Sequence, residues 1–204
     1  MDKTRCKIGV LALQGDFEAH LKALEELGVS PIEIRDLSAL ENCDGLVMPG
    51  GESTTLLKLL GEQGRKEIRR FYERGGVILG TCAGLILLAR EVRDPAQESI
   101  GLLDVVVARN AWGRQVESFY AEGEWVGKGP LEMVFIRAPR IIEFGSGVTV
   151  LARYKGEPVM IRQDRILGAT FHPELTQDRD VHEYFVDLIM QMKGIKGTAE
   201  PCQQ

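Results

Sequence analysis

The chain carries no surplus of positive charge. Its 204 residues include 25 Lys and Arg against 30 Asp and Glu, which gives a formal net charge of −5. Binding to nucleic acid or to an anionic membrane depends on clustered basic side chains. The densest basic stretch, residues 65–70, is interrupted by Glu67 and has the spacing of a solvated helix face. The sequence therefore predicts neither a nucleic acid partner nor a membrane partner.

Closely spaced cysteines and long apolar runs are also missing. The four cysteines (Cys6, Cys43, Cys82 and Cys202) form no Cys-x-x-Cys pair, which excludes the usual zinc and redox signatures. The first apolar run, residues 8–13, is too short for the core of a signal peptide, and no later run is long enough to span a membrane. We therefore expect a reduced, cytoplasmic protein, and no motif predicts a cofactor or a metal.

What the chain does have is enough apolar content for one sizeable core. Hydrophobic residues make up 44% of the sequence, within the length of a single α/β domain. We expect one domain over residues 1–193. Residues 194–204 are rich in Gly, Thr, Pro and Gln, and are predicted to form a disordered tail.

The surroundings of Cys82 make it the most informative residue. An apolar run of β-branched residues precedes it, Gly80 and Gly84 bracket it, and a helix-forming run follows. This pattern predicts a strand, a tight turn and a helix, the layout of a nucleophile elbow with Cys in place of Ser. The helix would point its N-terminus at the sulfur and favour the thiolate. The alternative is a buried structural cysteine, since free cysteines are among the most buried residues.

A second motif is Phe-His-Pro-Glu at residues 171–174. Proline disfavours helix in the preceding residue, so His172 should be extended. Residues two apart in an extended segment project to the same side, so Glu174 could orient His172 and leave its other ring nitrogen basic. Cys82, His172 and Glu174 would then form an activated nucleophile. The alternative is an ordinary loop histidine. The other two histidines, His20 and His182, lie in predicted helices and are interpreted as structural or solvated.

A third motif, residues 45–55, runs from a short apolar strand through Pro-Gly-Gly into Glu-Ser-Thr-Thr and a helix. Gly50 and Gly51 permit positive φ, and amides at such a turn can stabilise an oxyanion. One alternative is an ordinary turn with Ser53 or Thr54 as helix N-cap. A second alternative is a phosphate-binding loop, although no Lys-Ser/Thr pair follows at the required spacing.

The order of elements predicts an α/β fold. Strands alternate with helices in the first half, which indicates a mostly parallel open sheet with helices on both faces, and the second half is richer in strands and partly antiparallel. Ligands bind such sheets at the carboxyl ends of the strands, so the Gly-Gly turn and Cys82 should share one cleft. The predicted strands are 8–13, 30–35, 45–48, 77–79, 102–108, 133–136, 149–154, 158–162 and 166–171; the predicted helices are 16–27, 54–74 with a break at Gly61 and Gly64, and 180–193.

Together these motifs resemble the triad-type (class I) glutamine amidotransferases. Within that superfamily, the match is closer to the family of glutaminase subunits of pyridoxal 5'-phosphate synthase. The resemblance runs from about residue 8 to 193 and implies a flavodoxin-like α/β fold. It rests on residues 9–15, 49–55, 80–84, 109–115 and 171–175.

The resemblance implies hydrolysis of L-glutamine to glutamate and ammonia through a glutamyl thioester. Gly51 and Ala83 are the implied donors of the oxyanion hole. The glutamine contacts that the family implies are Gly51, Glu52, Ser53, Arg109, Ile136 and Arg137. Of these, Arg109 and Arg137 could instead be structural ion-pair residues.

The family also implies a partner. It is a synthase subunit, a (β/α)₈ barrel that is dodecameric in the family and consumes the ammonia. The glutaminase is expected to be poorly active until docked, when the Gly50–Gly51 peptide would complete the oxyanion hole. Three rivals remain open: the glutaminase of another pathway such as histidine, purine or aminobenzoate synthesis, a cysteine hydrolase of peptides or γ-glutamyl conjugates, and a non-catalytic regulatory module.

Overall fold

The computed structural model describes residue 3, residues 6–109 and residues 118–194. The predicted motif at 110–115 and nearly all of the predicted tail lie outside these ranges. The described residues form twelve strands: β1 (Ile8–Leu11), β2 (Ile32–Ile34), β3 (Gly45–Met48), β4 (Val77–Thr81), β5 (Ala89–Arg93), β6 (Leu103–Ala108), β7 (Ser118–Trp125), β8 (Gly129–Ile136), β9 (Arg140–Phe144), β10 (Thr149–Tyr154), β11 (Glu157–Gln163) and β12 (Ile166–Ala169). They also form four α-helices: α1 (Phe17–Glu26), α2 (Ser53–Glu73), α3 (Ala83–Leu88) and α4 (Asp180–Met192).

Nine of the strands in the described part of the chain form one mixed sheet in the order β2-β1-β3-β4-β12-β11-β10-β7-β8. The first five are parallel, and every pairing from β12 to β8 is antiparallel. Strands β1, β3, β4 and β12 are buried along their whole length. Their continuous apolar runs suit parallel strands that are covered on both faces.

Helices cover both faces of this sheet, as the alternating pattern predicts. Residues of α1 and α4, including Leu24 and Phe185, pack in one apolar cluster. Residues of α2 and α3, including Leu56 and Leu85, pack in the other. Burying each such side chain contributes about 1.5–3 kcal/mol, so the two layers hold the sheet and its carboxyl edge in place. No helix in the described ranges is both long and apolar enough to cross a membrane.

Three strands of the structure were not predicted from the sequence. Strands β5, β6 and β9 form a separate three-stranded sheet, and β5, β7 and β9 were all missed. In β7 exposed and partly buried residues alternate along most of the strand, and its Ala, Glu and Gly residues favour strand only weakly. In β5 and β9, Arg and Glu residues break the apolar pattern. These strands are specified by their partners rather than by local propensity.

Helix α2 is interrupted at one of the two predicted glycines. Gly61 has φ 58° and ψ −170°, outside the helical region, whereas Gly64 is helical and buried. A Cβ at Gly64 would lie 2.8 Å from the Leu37 side chain, so this glycine permits close packing. The predicted break at Gly64 is therefore wrong.

Helix α3 approaches β3 too closely to admit a side chain at Gly84. A Cβ there would lie 2.0 Å from the carbonyl oxygen of Met48. Since that atom belongs to a buried central strand, it cannot move aside cheaply. Gly84 therefore fixes the position of the helix that begins directly after Cys82.

Replacing Gly84 by Ala should lower the free energy of unfolding by about 2 kcal/mol or more, because overpacking forces backbone shifts. Urea unfolding followed by circular dichroism measures this. Gly147→Ala is the matched control, since a Cβ there meets open space, and it should change stability by less than about 0.5 kcal/mol. Equal effects of the two changes would contradict the packing argument.

Candidate active site

Cys82 lies at a strained turn between β4 and α3. Its φ of 47° and ψ of −101° are rarely adopted by a residue with a side chain. Its backbone N–H donates to the carbonyl of Ala169 on β12 at 2.9 Å. The Sγ atom lies 3.8 Å from the carbonyl oxygen of Ile136, and the residue is 5% exposed. This is the predicted elbow, with the sulfur at the carboxyl edge of the parallel strands.

His172 is held beside this turn by its backbone and by close packing. Its N–H donates to the carbonyl of Val134 on β8 at 2.8 Å. The imidazole packs so closely on Gly50 that a Cβ there would lie 2.3 Å from the ring Cε1. The Gly-Gly turn and His172 therefore pack directly against each other.

Glu174 contacts His172 as expected, but not through an extended segment. The Nδ1–Oε1 distance is 2.7 Å. Strand β12 ends at Ala169, and Pro173–Leu175 form a 3-10 turn. The prediction of a strand through residue 171 is therefore too long, and the extended-segment reason is wrong. The proline begins the turn, which folds the carboxylate back onto the ring.

The buried charges of this pair support each other. Burial by itself lowers the pKa of His172, but the proximity of Cys82 and the hydrogen-bonded Glu174 carboxylate raise it overall. Burial opposes ionisation of Glu174, yet the neighbouring imidazoles of His20 and His172 hold its pKa well below its usual range. An imidazolium that persists beside the sulfur favours the thiolate form of a cysteine.

The loop after β3 is held by a residue that sequence reasoning missed. The side-chain N–H of Gln14 donates to the carbonyl of Glu52 at 3.3 Å, and the Glu52 N–H donates to Gln14 Oε1 at 3.4 Å. Gly51 has φ 140°, a conformation that favours glycine. A Cβ at Gly51 would lie 2.3 Å from the Gln14 amide nitrogen. Gln14 belongs to the 9–15 motif, which was the available signal.

The N-cap of α2 is Glu52, which corrects the alternative of Ser53 or Thr54. Its carboxylate accepts the backbone N–H of Thr54 at 3.1 Å and that of Thr55 at 2.6 Å. Hydrogen bonds from these two threonines lower the pKa of Glu52 to about 2. Because the carboxylate lies at the helix N-terminus, its charge also suits the helix dipole. Glu52 is therefore held ionised at the rim of the cleft.

One cleft of about 240 Å³ brings most of the predicted residues together. Arg109 Nη2 lies 3.6 Å from Glu52 Oε1. Arg109 therefore forms an ion pair and also lines the cleft. The buried Ser53 donates its hydroxyl to Gln97 Oε1 at 2.9 Å. Ala83, 1% exposed, and Glu174 lie behind the cleft. The lining comprises the predicted Gly51, Glu52, Ser53, Cys82, Arg109, Ile136, Arg137 and His172, with Asp16 and Ile86, which no sequence motif indicated.

His20 and His182 were interpreted as structural or solvated, and both are 0% exposed. The solvated alternative is therefore wrong and the structural one agrees with their burial, but the contact of His20 Nε2 with Glu174 Oε2 at 3.2 Å was not expected. Lone histidines on predicted helices gave no signal for this contact. Within the described ranges, no group of three or more His, Cys, Asp or Glu side chains is arranged to hold a metal ion.

A mixed sheet of this order, with a cysteine elbow at its carboxyl edge facing a His-Glu pair, is the architecture of the class I glutamine amidotransferases. Residues 10–191 match the model of the SNO glutamine amidotransferase family. The chain belongs to that family.

Individual relatives agree over nearly the whole chain. Pyridoxal 5'-phosphate synthase subunit PdxT of Koribacter versatilis is 53% identical, over 90% of this chain and 95% of that protein. The protein of the same name from Thermotoga maritima is 47% identical, over 90% of this chain and 99% of that one. A solved structure described as a glutamine amidotransferase superposes with a TM-score of 0.85 at 48% identity, covering 89% of this chain and 98% of the other.

The buried carboxylate of Glu174 makes the free energy of unfolding depend on pH. The carboxyl of Glu174 has a folded-state pKa below the ordinary 4.5, so its contribution is complete above pH 4.5 and is lost as pH falls through the folded value. Urea unfolding between pH 6 and 3 should show stability falling with pH, and the fall should be shallower in Glu174→Gln. Glu124→Gln, which removes an exposed carboxylate on β7, should keep the wild-type slope. A wild-type slope in Glu174→Gln would contradict this assignment.

Proposed function

We propose that this chain is the glutaminase subunit of a pyridoxal 5'-phosphate synthase. Membership of the SNO glutamine amidotransferase family and the named PdxT relatives support this function. The observation that carries it is one cleft lined together by Cys82, His172, the Gly51–Ser53 loop and Arg109. Residues 1–193 form a single amidotransferase domain in this proposal, and residues 194–204 are a tail outside it.

The reaction begins with attack of the Cys82 thiolate on the carboxamide carbon of glutamine. His172, protonated by the thiol, gives its proton to the departing nitrogen, so ammonia leaves and a γ-glutamyl thioester remains. Water then adds to the thioester carbon while His172 takes one of its protons. The thiol is regenerated and glutamate is released. Glu174 keeps the proton on Nδ1 of His172, which directs Nε2 toward these transfers.

The oxyanion would be stabilised by the backbone N–H groups of Gly51 and Ala83. Ala83 is the first residue of α3, where a backbone N–H has no partner within the helix. The glutamine side chain would lie between this helix and the Gly51–Ser53 loop. Arg109 and Arg137 would hold the substrate carboxylate, since guanidinium groups bind carboxylates bidentately, and Glu52 would face the substrate ammonium. Ile136 would contribute backbone and apolar contact beside the sulfur.

Ammonia is useful only if it reaches an acceptor before it is lost. The proposed acceptor is the synthase subunit, a (β/α)₈ barrel that is dodecameric in this family. The complex would be cytoplasmic. The free, buried thiols of Cys6, Cys43 and Cys82 support a reducing compartment. The two glycines before Glu52 permit a peptide rearrangement on docking, as the family resemblance implies.

Glutamate release by the purified chain tests the proposal directly. It should be low for the chain alone, rise at least tenfold with the cognate pyridoxal 5'-phosphate synthase subunit, and vanish in Cys82→Ser, which lacks the nucleophile. Cys43→Ser is the matched control and should retain activity. Release that needs Cys82 but ignores this synthase would keep the glutaminase and reject the pathway. A chain that cleaves γ-glutamyl conjugates but not free glutamine would be the rival hydrolase.

Replacing Gly51 by Ala should suppress partner-dependent glutamate release by about tenfold or more while sparing the fold. The residue is exposed, but its φ of 140° disfavours a side chain and a Cβ would press on Gln14. Gly129→Ala, the control, also places a side chain at a positive φ (113°) but in open space, and this residue does not line the cleft. Normal release by Gly51→Ala would argue against a role for this peptide in the oxyanion hole.

A further inference from the structure

Behind Glu174, on the side away from the sulfur, lie two buried histidines that the reaction described above does not use. His20 Nε2, from α1, lies 3.2 Å from Glu174 Oε2 and 3.2 Å from Thr81 Oγ1. Its Nδ1 lies 2.9 Å from Nε2 of His182 on α4. Both histidines are 0% exposed. Glu174 is therefore contacted from both sides by an imidazole, and only the one nearer the sulfur has an evident task.

The carboxylate needs support on this second side. Oε1 receives the hydrogen bond from His172. Oε2 is buried and has no well-aligned hydrogen bond among the described residues. A buried carboxylate oxygen without a donor is costly. The His20 Nε2 group hydrogen-bonds with the Thr81 hydroxyl and also lies 3.2 Å from this oxygen, so a small rotation of the ring would let its N–H donate to Oε2.

Charge decides which tautomer of His20 fits this position. A bare Nε2 would bring a lone pair within 3.2 Å of the anionic Glu174 oxygen, which is repulsive, so Nε2 carries the proton. Burial lowers the pKa of His20, so the ring is neutral and Nδ1 is an acceptor. The Nε2–H of His182 then donates to it.

The remaining nitrogen of His182, at the far end of the Glu174–His20–His182 row, is consistent with these tautomers. Nδ1 of His182 is buried and has no hydrogen-bond partner among the described residues. In the tautomer just assigned this nitrogen is an acceptor, and a buried acceptor without a partner is tolerated better than a donor. Burial lowers the pKa of His182 to about 3, so this ring is also neutral.

We propose that His20 is a positioning residue for the reaction: its Nε2–H holds Oε2 of Glu174, and His182 fixes the His20 tautomer. Four elements thereby fix the base, because the donors to the carboxylate come from α1 and from the turn after β12, with Thr81 on β4 and His182 on α4 behind them. The inference rests on the proposed role of Glu174 in orienting His172.

Several charged groups surround Glu174, His20 and His182, and each of them affects how this cluster titrates. Glu174 faces His172 and His20, and its own backbone N–H is a further donor. Asp16 lies near enough to His20 to act on it electrostatically, and Arg179 acts on His182 in the same way. Removing the His20 donor should make ionisation of Glu174 less favourable. A weaker negative charge on Glu174 stabilises the protonated form of His172 less, so the Cys82 thiolate should form at higher pH.

The experiment compares His20→Asn with His20→Gln. A glutamine amide can place its N–H near the original Nε2, whereas an asparagine amide reaches only the position of Nδ1. Alkylation of Cys82 by iodoacetamide is followed from pH 5 to 9 by mass spectrometry on the isolated chain. In His20→Asn the pH of half-maximal alkylation should rise by about one unit, and in His20→Gln by clearly less.

Turnover supplies the second readout. With the synthase subunit present, His20→Asn should lower kcat for glutamate release about tenfold and leave KM within about twofold, because His20 is fully buried and does not line the cleft. His20→Gln should restore most of kcat. The alkylation profile needs no glutaminase activity, so it still tests the His20 contact if the chain acts on another substrate.

Two results would overturn the proposal. One is an unchanged alkylation profile in His20→Asn, whatever its melting temperature, which would leave His20 a packing residue. The other is an equal shift in the Asn and Gln variants. If neither variant folds, His182→Asn is compared with His182→Gln. Loss of the donor to His20 Nδ1 in His182→Asn should raise the pH of half-maximal Cys82 alkylation, by less than His20→Asn would. An unchanged pH would reject the assignment.

Discussion

The parallel pairing of β4 with β12 is the interaction on which the rest of the site depends. Thr81 lies opposite Ala169 in this ladder, and the Cys82 N–H closes it by donating to the Ala169 carbonyl at 2.9 Å. Residues nearly ninety positions apart therefore reach the same edge of the sheet. Because both strands are fully buried, a one-residue slip would turn their side chains onto the wrong faces, so the register that places His172 beside Cys82 is strongly specified.

Around this ladder, small residues and buried polar groups perform different tasks. Gly50 and Gly84 remove side chains where the His172 ring and helix α3 must approach other elements closely. Glu174 introduces a charge into the same region, and the imidazoles on its two sides keep that charge supported. Close packing thus fixes where the groups lie, and the polar contacts fix which protons they carry. A buried network of this kind is stable only when its members are satisfied.

Much of the fold could be predicted because the central strands are continuous apolar runs. Strand β3 at Gly45–Met48 and strand β10 at Thr149–Tyr154 have the predicted bounds, and the helices on both faces follow from the alternation. The strands that were missed, β5, β7 and β9, carry charged and small residues and depend on cross-strand partners. Pattern reasoning detects a strand that is buried by itself, but not one that is specified by its neighbours.

The sequence by itself indicated Cys82 as the proposed nucleophile, His172, its carboxylate neighbour Glu174 and the glycine turn, because each proposed role needs particular residue types at short spacings. Only the tertiary structure decided the contacts between distant segments. The Gln14 clamp on Glu52, the Asp16 and Ile86 walls of the cleft, and the burial of His20 and His182 join elements far apart in the chain. No local pattern encodes such a contact, because it exists only once the sheet has brought the elements together.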